Sequence, residues 1–256
     1  MKQFFLPVCL LLMLASCSCS TNSLRVSFSD KDLVTQRRDL RGFEKIEVIG
    51  SPTVFYSQAD SFSVSVKGPA DLVDHILTEV DGRTLAIRNK GKLGIVNVSF
   101  GDNSKLAVYV TSPDLVGVLL SGSGDFVGNG RVDTDVMNIR LKGSGDLLFE
   151  DLLCDRCDAE LVGSGDLKIK HLDTRETSAT LIGSGDLDIR QMNAERTQLE
   201  LRGSGDIDVE FISGCGVLSA ELLGSGDITL KGQVRKFDMH KRGSGDIDFS
   251  HLKVGQ

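Results

Sequence analysis

An all-β fold, a right-handed parallel β-helix of about twenty residues per coil, is what this sequence predicts, on three observations. The tetrapeptide Gly-Ser-Gly-Asp occurs seven times, its first glycine at 122, 143, 163, 183, 203, 224 and 243. The steps between copies are nearly constant, from 19 to 21 residues. Apolar and polar residues alternate on both sides of the copies. A fixed period of this size marks a solenoid, in which one small unit stacks on its own repeats. A catalytic motif usually occurs once; seven copies point to architecture or to a multivalent surface.

The alternation assigns the strands. With the first glycine of each copy as zero, position −2 reads Leu120, Leu141, Leu161, Leu181, Leu201, Leu222 and Lys241, and position −4 reads Val118, Ile139, Ala159, Ala179, Leu199, Ala220 and Met239. Position +4 reads Phe126, Leu147, Leu167, Leu187, Ile207, Ile228 and Ile247, and position +6 reads Gly128, Phe149, Ile169, Ile189, Val209, Leu230 and Phe249. The positions between are mostly polar, as at Glu160, Thr180, Lys168 and Asp188. Period-two alternation on both sides of a glycine-rich corner describes two half-buried strands. An apolar residue at +9 (Leu152, Leu172, Met192, Ile212) suggests a third inward face.

Strands of four or five residues cannot bury a face alone. Stacked in parallel at about 4.8 Å per layer, they form continuous apolar ladders inside a tube roughly 30 Å long. Parallel crossovers are right-handed, hence the handedness. Lys241, where the earlier copies have leucine, marks the last coil as a frayed or capping end. A leucine-rich repeat fits less well, because the asparagine after its consensus is missing. A calcium-binding nonapeptide roll has the wrong period.

The N-terminal part is looser. Residues 45–50, 52–57, 61–68, 83–89 and 105–110 alternate as strands. Residues 69–80, "PADLVDHILTEV", start with proline and space their apolar residues for a short amphipathic helix. This part is expected to cover the first open coil, with regular coils from about residue 115 in a single domain of 41–256.

The formal net charge of −7 excludes a nucleic-acid binder, because phosphate neutralisation needs a basic face. Tryptophan is absent and Tyr56 and Tyr109 are the only tyrosines, which lowers the weight of a sugar-stacking platform. Cys154 and Cys157 form a single CxxC without the further ligands zinc needs. It also lacks the helix that follows a thioredoxin-type CxxC. The redox state of Cys154, Cys157 and Cys215 stays open at this point.

Residues 1–16 read as a signal peptide: a short basic start at Lys2, then an apolar run too short to span a bilayer. Leu14-Ala15-Ser16-Cys17 looks like a bacterial lipobox, which implies cleavage before Cys17 and lipid on its thiol. Residues 17–40 then read as a tether to a membrane. Facing, toward periplasm or outside, is not legible.

In a parallel stack, Asp125, Asp146, Asp166, Asp186, Asp206, Asp227 and Asp246 line up. Carboxylates about 5 Å apart repel by on the order of 1–3 kcal/mol per pair, so something must offset the charge. The candidates are backbone N–H groups, serine hydroxyls, shifted pKa values or weakly bound calcium. No cofactor is expected beyond that, and no metal site is assigned. The four histidines share no spacing and no carboxylate-and-cation constellation interrupts the repeat, so no catalytic residue is assigned.

The lipobox, "FEKIEVIGSPTVFYSQ", "TEVDGRTLAIRN", "VYVTSPDLVGVLLSGSGD" and the repeats that follow resemble, in that order, the putative auto-transporter adhesin, head GIN domain family of Gram-negative bacteria. The resemblance covers about residues 41–250. It implies a β-helix similar to the pectin-lyase superfamily without its catalytic residues, and a role in adhesion at the cell envelope. The expectation is therefore a non-enzymatic binding module, held by its N-terminal lipid at the outer membrane. Its partner would be a host or envelope polysaccharide or protein. The alternatives are a polysaccharide-binding or polysaccharide-cleaving β-helix, and a periplasmic scaffold that self-associates.

Overall fold

The computed structural model describes residues 33–90 and 106–255. The leader and Cys17 lie outside the described residues. In chain order the first part holds β1 (Leu33–Arg38), β2 (Lys45–Gly50), β3 (Thr53–Gln58), β4 (Ser63–Pro69), a single helical turn α1 (Ala70–Val73), β5 (Ile76–Asp81), β6 (Thr84–Asn89) and β7 (Ala107–Ser112). The regular part holds β8 (Gly117–Gly122), β9 (Phe126–Asp133), β10 (Val136–Gly143), β11 (Leu147–Gly163), β12 (Leu167–Gly183), β13 (Asp186–Met192), β14 (Ala194–Gly203), β15 (Asp206–Gly224), β16 (Ile228–Gly243) and β17 (Ile247–Val254). Together they form a β-solenoid whose repeats stack in parallel register, as the alternation predicts.

The apolar columns follow from that register. Ile87, Val48, Leu120, Leu141, Leu161, Leu181, Leu201 and Leu222 lie one above another on the strands that enter the corner. Val108, Val54, Phe126, Leu147, Leu167, Leu187, Ile207, Ile228 and Ile247 do so on the strands that leave it. All of these are buried. Where the +6 column has Gly128, the absent side chain is replaced by neighbours. A Cβ there would meet the Phe149 ring at 2.5 Å. Phe126 fills the space between Tyr56 and Phe149, with ring centroids 6.3 and 5.6 Å away. The Tyr56 hydroxyl bonds to Ser112, and burial pushes its pKa up to about 12.

The third inward face differs from the +9 expectation in two coils. Leu152 and Leu172 point inward, but the next two inward residues are Gln191 and Phe211, while Ile212 is 46% exposed. A register shift between Ile169 and Leu172 accounts for this. Gln191 is fully buried because its amide has partners: it donates to Thr177 at 2.6 Å and accepts from Thr197 at 3.0 Å.

The N-terminal end departs from chain order. β2 lies between β6 and β8, and β3 between β7 and β9, so the coil made by β6 and β7 sits below one that precedes it in sequence. Outside that coil the strands turn antiparallel: β5 on β6, β4 on β7, and β1 on β4. Two sequence expectations are corrected here. Leu33–Arg38, assigned to the tether, is a strand of the folded domain. The helix expected over 69–80 shrinks to four residues, and Ile76–Asp81 is a strand. The apolar spacing suited either element. The Asp81-Gly82-Arg83-Thr84 hairpin decides it, with Gly82 at φ +57° letting β5 fold back on β6.

The two ends are unlike. At the C-terminal end Met239, Phe249 and Val254 are 49%, 42% and 52% exposed, although Ala220 and Val234, the partners of Met239 and Val254 one coil below, are buried.

Candidate functional site

The seven tetrapeptides stack into one continuous edge, and backbone geometry explains their composition. The N–H groups of Ser144 and Gly145 both donate to the Gly122 carbonyl, at 2.9 and 3.2 Å. The same fork joins Ser164 and Gly165 to Gly143, and repeats up the stack. This draws each corner tightly onto the one below. A Cβ added at Gly143, where φ is +133°, would lie 2.1 Å from the Gly122 oxygen. At Gly145 it would lie 1.8 Å from the Gly124 oxygen. Both glycines are therefore required by the neighbouring coil, the first also by its own left-handed φ.

The aspartate completes the corner. The Asp146 carboxylate accepts the Asp166 N–H at 3.2 Å, Asp166 accepts that of Asp186 at 3.3 Å, Asp206 that of Asp227 at 2.9 Å, and Asp227 that of Asp246 at 2.7 Å. Asp125 does the same for Asp146 at 3.4 Å. Of the offsets open at the sequence level, backbone N–H groups are thus in place. The pKa of Asp186 is displaced upward: burial and the adjacent Asp166 raise it, the Asp206 N–H opposes, and Asp206 and Asp208 add to the rise. Among the described residues no group of three His, Cys, Asp or Glu side chains converges as a metal requires.

The sequence hid the ends of this ladder. Gly50-Ser51-Pro52-Thr53 is an eighth corner beneath the first repeat. Gly50 has φ +99° and its carbonyl takes both Ser123 and Gly124 N–H groups. Thr53 stands in the aspartate position and its hydroxyl lies 3.4 Å from Asp125. Asn89 closes this end by bonding Ser51 at 3.0 Å. At the other end Asp246 is paired with Lys241, the residue that replaces leucine. The signal available in the sequence was Gly-Ser at 50–51 before an alternating strand.

A second feature lies on the outward face of the strands that leave the corner. Tyr109, Phe55, Val127 and Leu148 are consecutive across β7, β3, β9 and β11. Tyr109 is 43% exposed and stacks on Phe55, with centroids 5.3 Å apart and planes at 21°. The same row continues as Lys168, Asp188 and Asp208. There Lys168 pairs with Asp188, and Arg190 with Glu210 at 2.9 Å, beside a shallow groove of about 280 Å³. These pairs lie beside the corner ladder and leave it unbroken.

Among the described residues, Cys154, Cys157 and Cys215 are buried free thiols. Cys154 and Cys157 flank a turn fixed by the Asp155 and Arg156 N–H groups on the Asp135 carbonyl, and the neighbouring Cys154 together with burial pushes the Cys157 pKa up.

Residues 42–214 match the family described as putative auto-transporter adhesin, head GIN domain. The chain belongs to this family. The GIN match ends at residue 214, while the corner ladder runs on to Asp246. Similar solved structures include a putative adhesin from Bacteroides fragilis NCTC 9343, 23% identical, covering 85% of this chain and 96% of that one with a TM-score of 0.72. Another putative adhesin, from Parabacteroides distasonis ATCC 8503, is 21% identical over 84% of this chain and 95% of that one, TM-score 0.68. A putative lipid binding protein from the same organism is 23% identical over 90% and 99%, TM-score 0.64. At these identities the likeness concerns the fold. No curated protein matched the chain.

Two predictions test the corner of this GIN domain. Gly145→Ala should lower stability by about 3 kcal/mol or prevent folding, because backbone cannot move aside. Gly130→Ala, with φ +70° and open space around it, should lose only about 1–2 kcal/mol in chemical denaturation. Asp186 binds its proton more tightly in the folded protein, so its charge costs stability above the raised value and protonation restores it as pH falls. Asp186→Asn keeps an acceptor for Asp206. It should melt no lower than the wild type at pH 7 and lose the gain on mild acidification in a pH series of melting curves.

Proposed function

We propose that this GIN domain is a non-enzymatic adhesion module of the cell envelope, anchored by lipid on Cys17 and binding through the repetitive outer faces of its solenoid. The observation that carries this is the unbroken corner. Among the described residues the corner recurs from Gly50 to Asp246, and the carboxylate–cation pairs of Lys168 with Asp188 and Arg190 with Glu210 lie beside it on the strands without interrupting it, whereas polysaccharide-cleaving chemistry would need a constellation that breaks the repeat. Asp125, Asp146, Asp166, Asp206 and Asp227 each use one oxygen to hold the next coil, and the serines stand exposed at a repeat of about 4.8 Å. A surface with a constant repeat suits many weak contacts with a repetitive partner, which add through effective concentration.

The Tyr109–Phe55 stack favours a polysaccharide as that partner. A solvent-facing aromatic pair continued by Val127 and Leu148 offers an apolar platform, and the adjacent Asp125 and Asp146 offer acceptors for hydroxyls.

Radiolabelled palmitate should enter the wild-type chain and not Cys17→Ser, and protease added to intact cells should degrade the protein. Protection from protease would remove the surface reading and leave a periplasmic scaffold. On glycan arrays or envelope polysaccharide, Tyr109→Ala should weaken binding by about tenfold without a change in melting temperature. Unchanged binding would show that the platform is not the contact.

A further inference from the structure

The open C-terminal coil combines two properties. Its apolar end is uncovered: Met239, Phe249 and Val254 face solvent, and Phe249 is propped edge-on against Phe237 at 5.8 Å. Around it the charge reverses. Residues 228–256 carry six basic and three acidic side chains, a net +3 in a chain of net −7, which leaves −10 for the remainder. Apart from Lys241, which pairs with Asp246, four cations near this end are also unspent. Mid-solenoid, Arg140 pairs with Glu160 and Arg190 with Glu210. Among the described residues no carboxylate lies within ion-pair distance of Arg235, Lys236, Arg242 or Lys253, and all four are exposed.

We infer that this end is a docking surface for a bilayer that carries anionic phosphate headgroups. Exposed apolar side chains ringed by lysine and arginine match the two layers of such a surface: the apolar groups enter the acyl boundary while the cations stay at the phosphates. A second copy meeting end to end is opposed by the same cations, and Lys241 in an otherwise apolar inward column blunts strand addition at the open edge. Chain length allows the anchoring membrane itself to be the target. Sixteen residues from Cys17 precede β1 and extend to roughly 50 Å, against about 34 Å for eight stacked corners.

The test uses the chain from Ser18 to Gln256, which keeps every strand and carries no acyl group, so its outcome is independent of the lipid anchor. Flotation with vesicles of phosphatidylglycerol and phosphatidylcholine should show binding that weakens with salt, and vesicles of phosphatidylcholine alone should show little. Each lysine or arginine removed should weaken binding about fivefold, so that Lys236→Ser with Arg242→Ser and Lys253→Ser loses on the order of 100-fold. Met239→Ser with Val254→Ser should also weaken it. If the apolar variant misfolds, the charge variant, altered only at exposed positions, decides. Absence of vesicle binding, equal binding to neutral vesicles, binding unchanged in the charge variant, or a concentration-dependent oligomer that the apolar variant abolishes would each overturn the inference.

Discussion

The structure depends on one close approach, that of a glycine carbonyl to the glycine of the next coil. The oxygen of Gly122 takes two N–H groups from the coil above and occupies the place where a Cβ of Gly143 would be. Hydrogen bonding and sterics thus demand the same residue. Once two corners approach this closely, the aspartate carboxylate is brought to the next N–H, and the apolar columns on either side fall into register. The irregularities in the ladder lie elsewhere. Register shifts occur between Phe149 and Asp151, Ile169 and Leu172, Phe211 and Cys215, and Thr229 and Lys231, all on the side that leads away from the corner. The variation in repeat length is absorbed there, which keeps the corner invariant.

A stack of this kind has two ends with unmet backbone groups, and the chain treats them differently. At the start, three antiparallel strands extend the first coil and the Asn89 side chain bonds the first corner at Ser51. At the finish, a lysine enters an apolar column and pairs with the last aspartate of the ladder. The first solution adds folded chain. The second adds charge and leaves apolar side chains in contact with water. That asymmetry directs attention to the C-terminal end as a surface with a role of its own.

The aspartate ladder illustrates how a repeated acidic motif can be mainly structural. Its carboxylates serve the backbone of the next coil. They accept N–H groups that the tight corner would otherwise leave unpaired, and at Asp186 burial and flanking acids together raise the carboxyl pKa. What the surface presents outward is then a serine and one free carboxylate oxygen per coil, with the Tyr109–Phe55 stack beside the first coils. Membership in an adhesin-head family supports an adhesion-type module.

By itself the sequence determined the solenoid, its period, and the inward columns such as Leu120 to Leu222. Parallel stacking repeats one local environment, so a local pattern carries global information. It also determined that Gly143 and Gly145 belong to a corner. Only the tertiary structure decided that Ile76–Asp81 is a strand, that Gln191 and Phe211 face inward where Met192 and Ile212 were expected, and that Gly50-Ser51 is the eighth corner. Each of these depends on a partner distant in the chain. A helix spacing and a strand spacing look alike over six residues, a one-residue shift inverts a face, and a motif that occurs once has no repeat to reveal it.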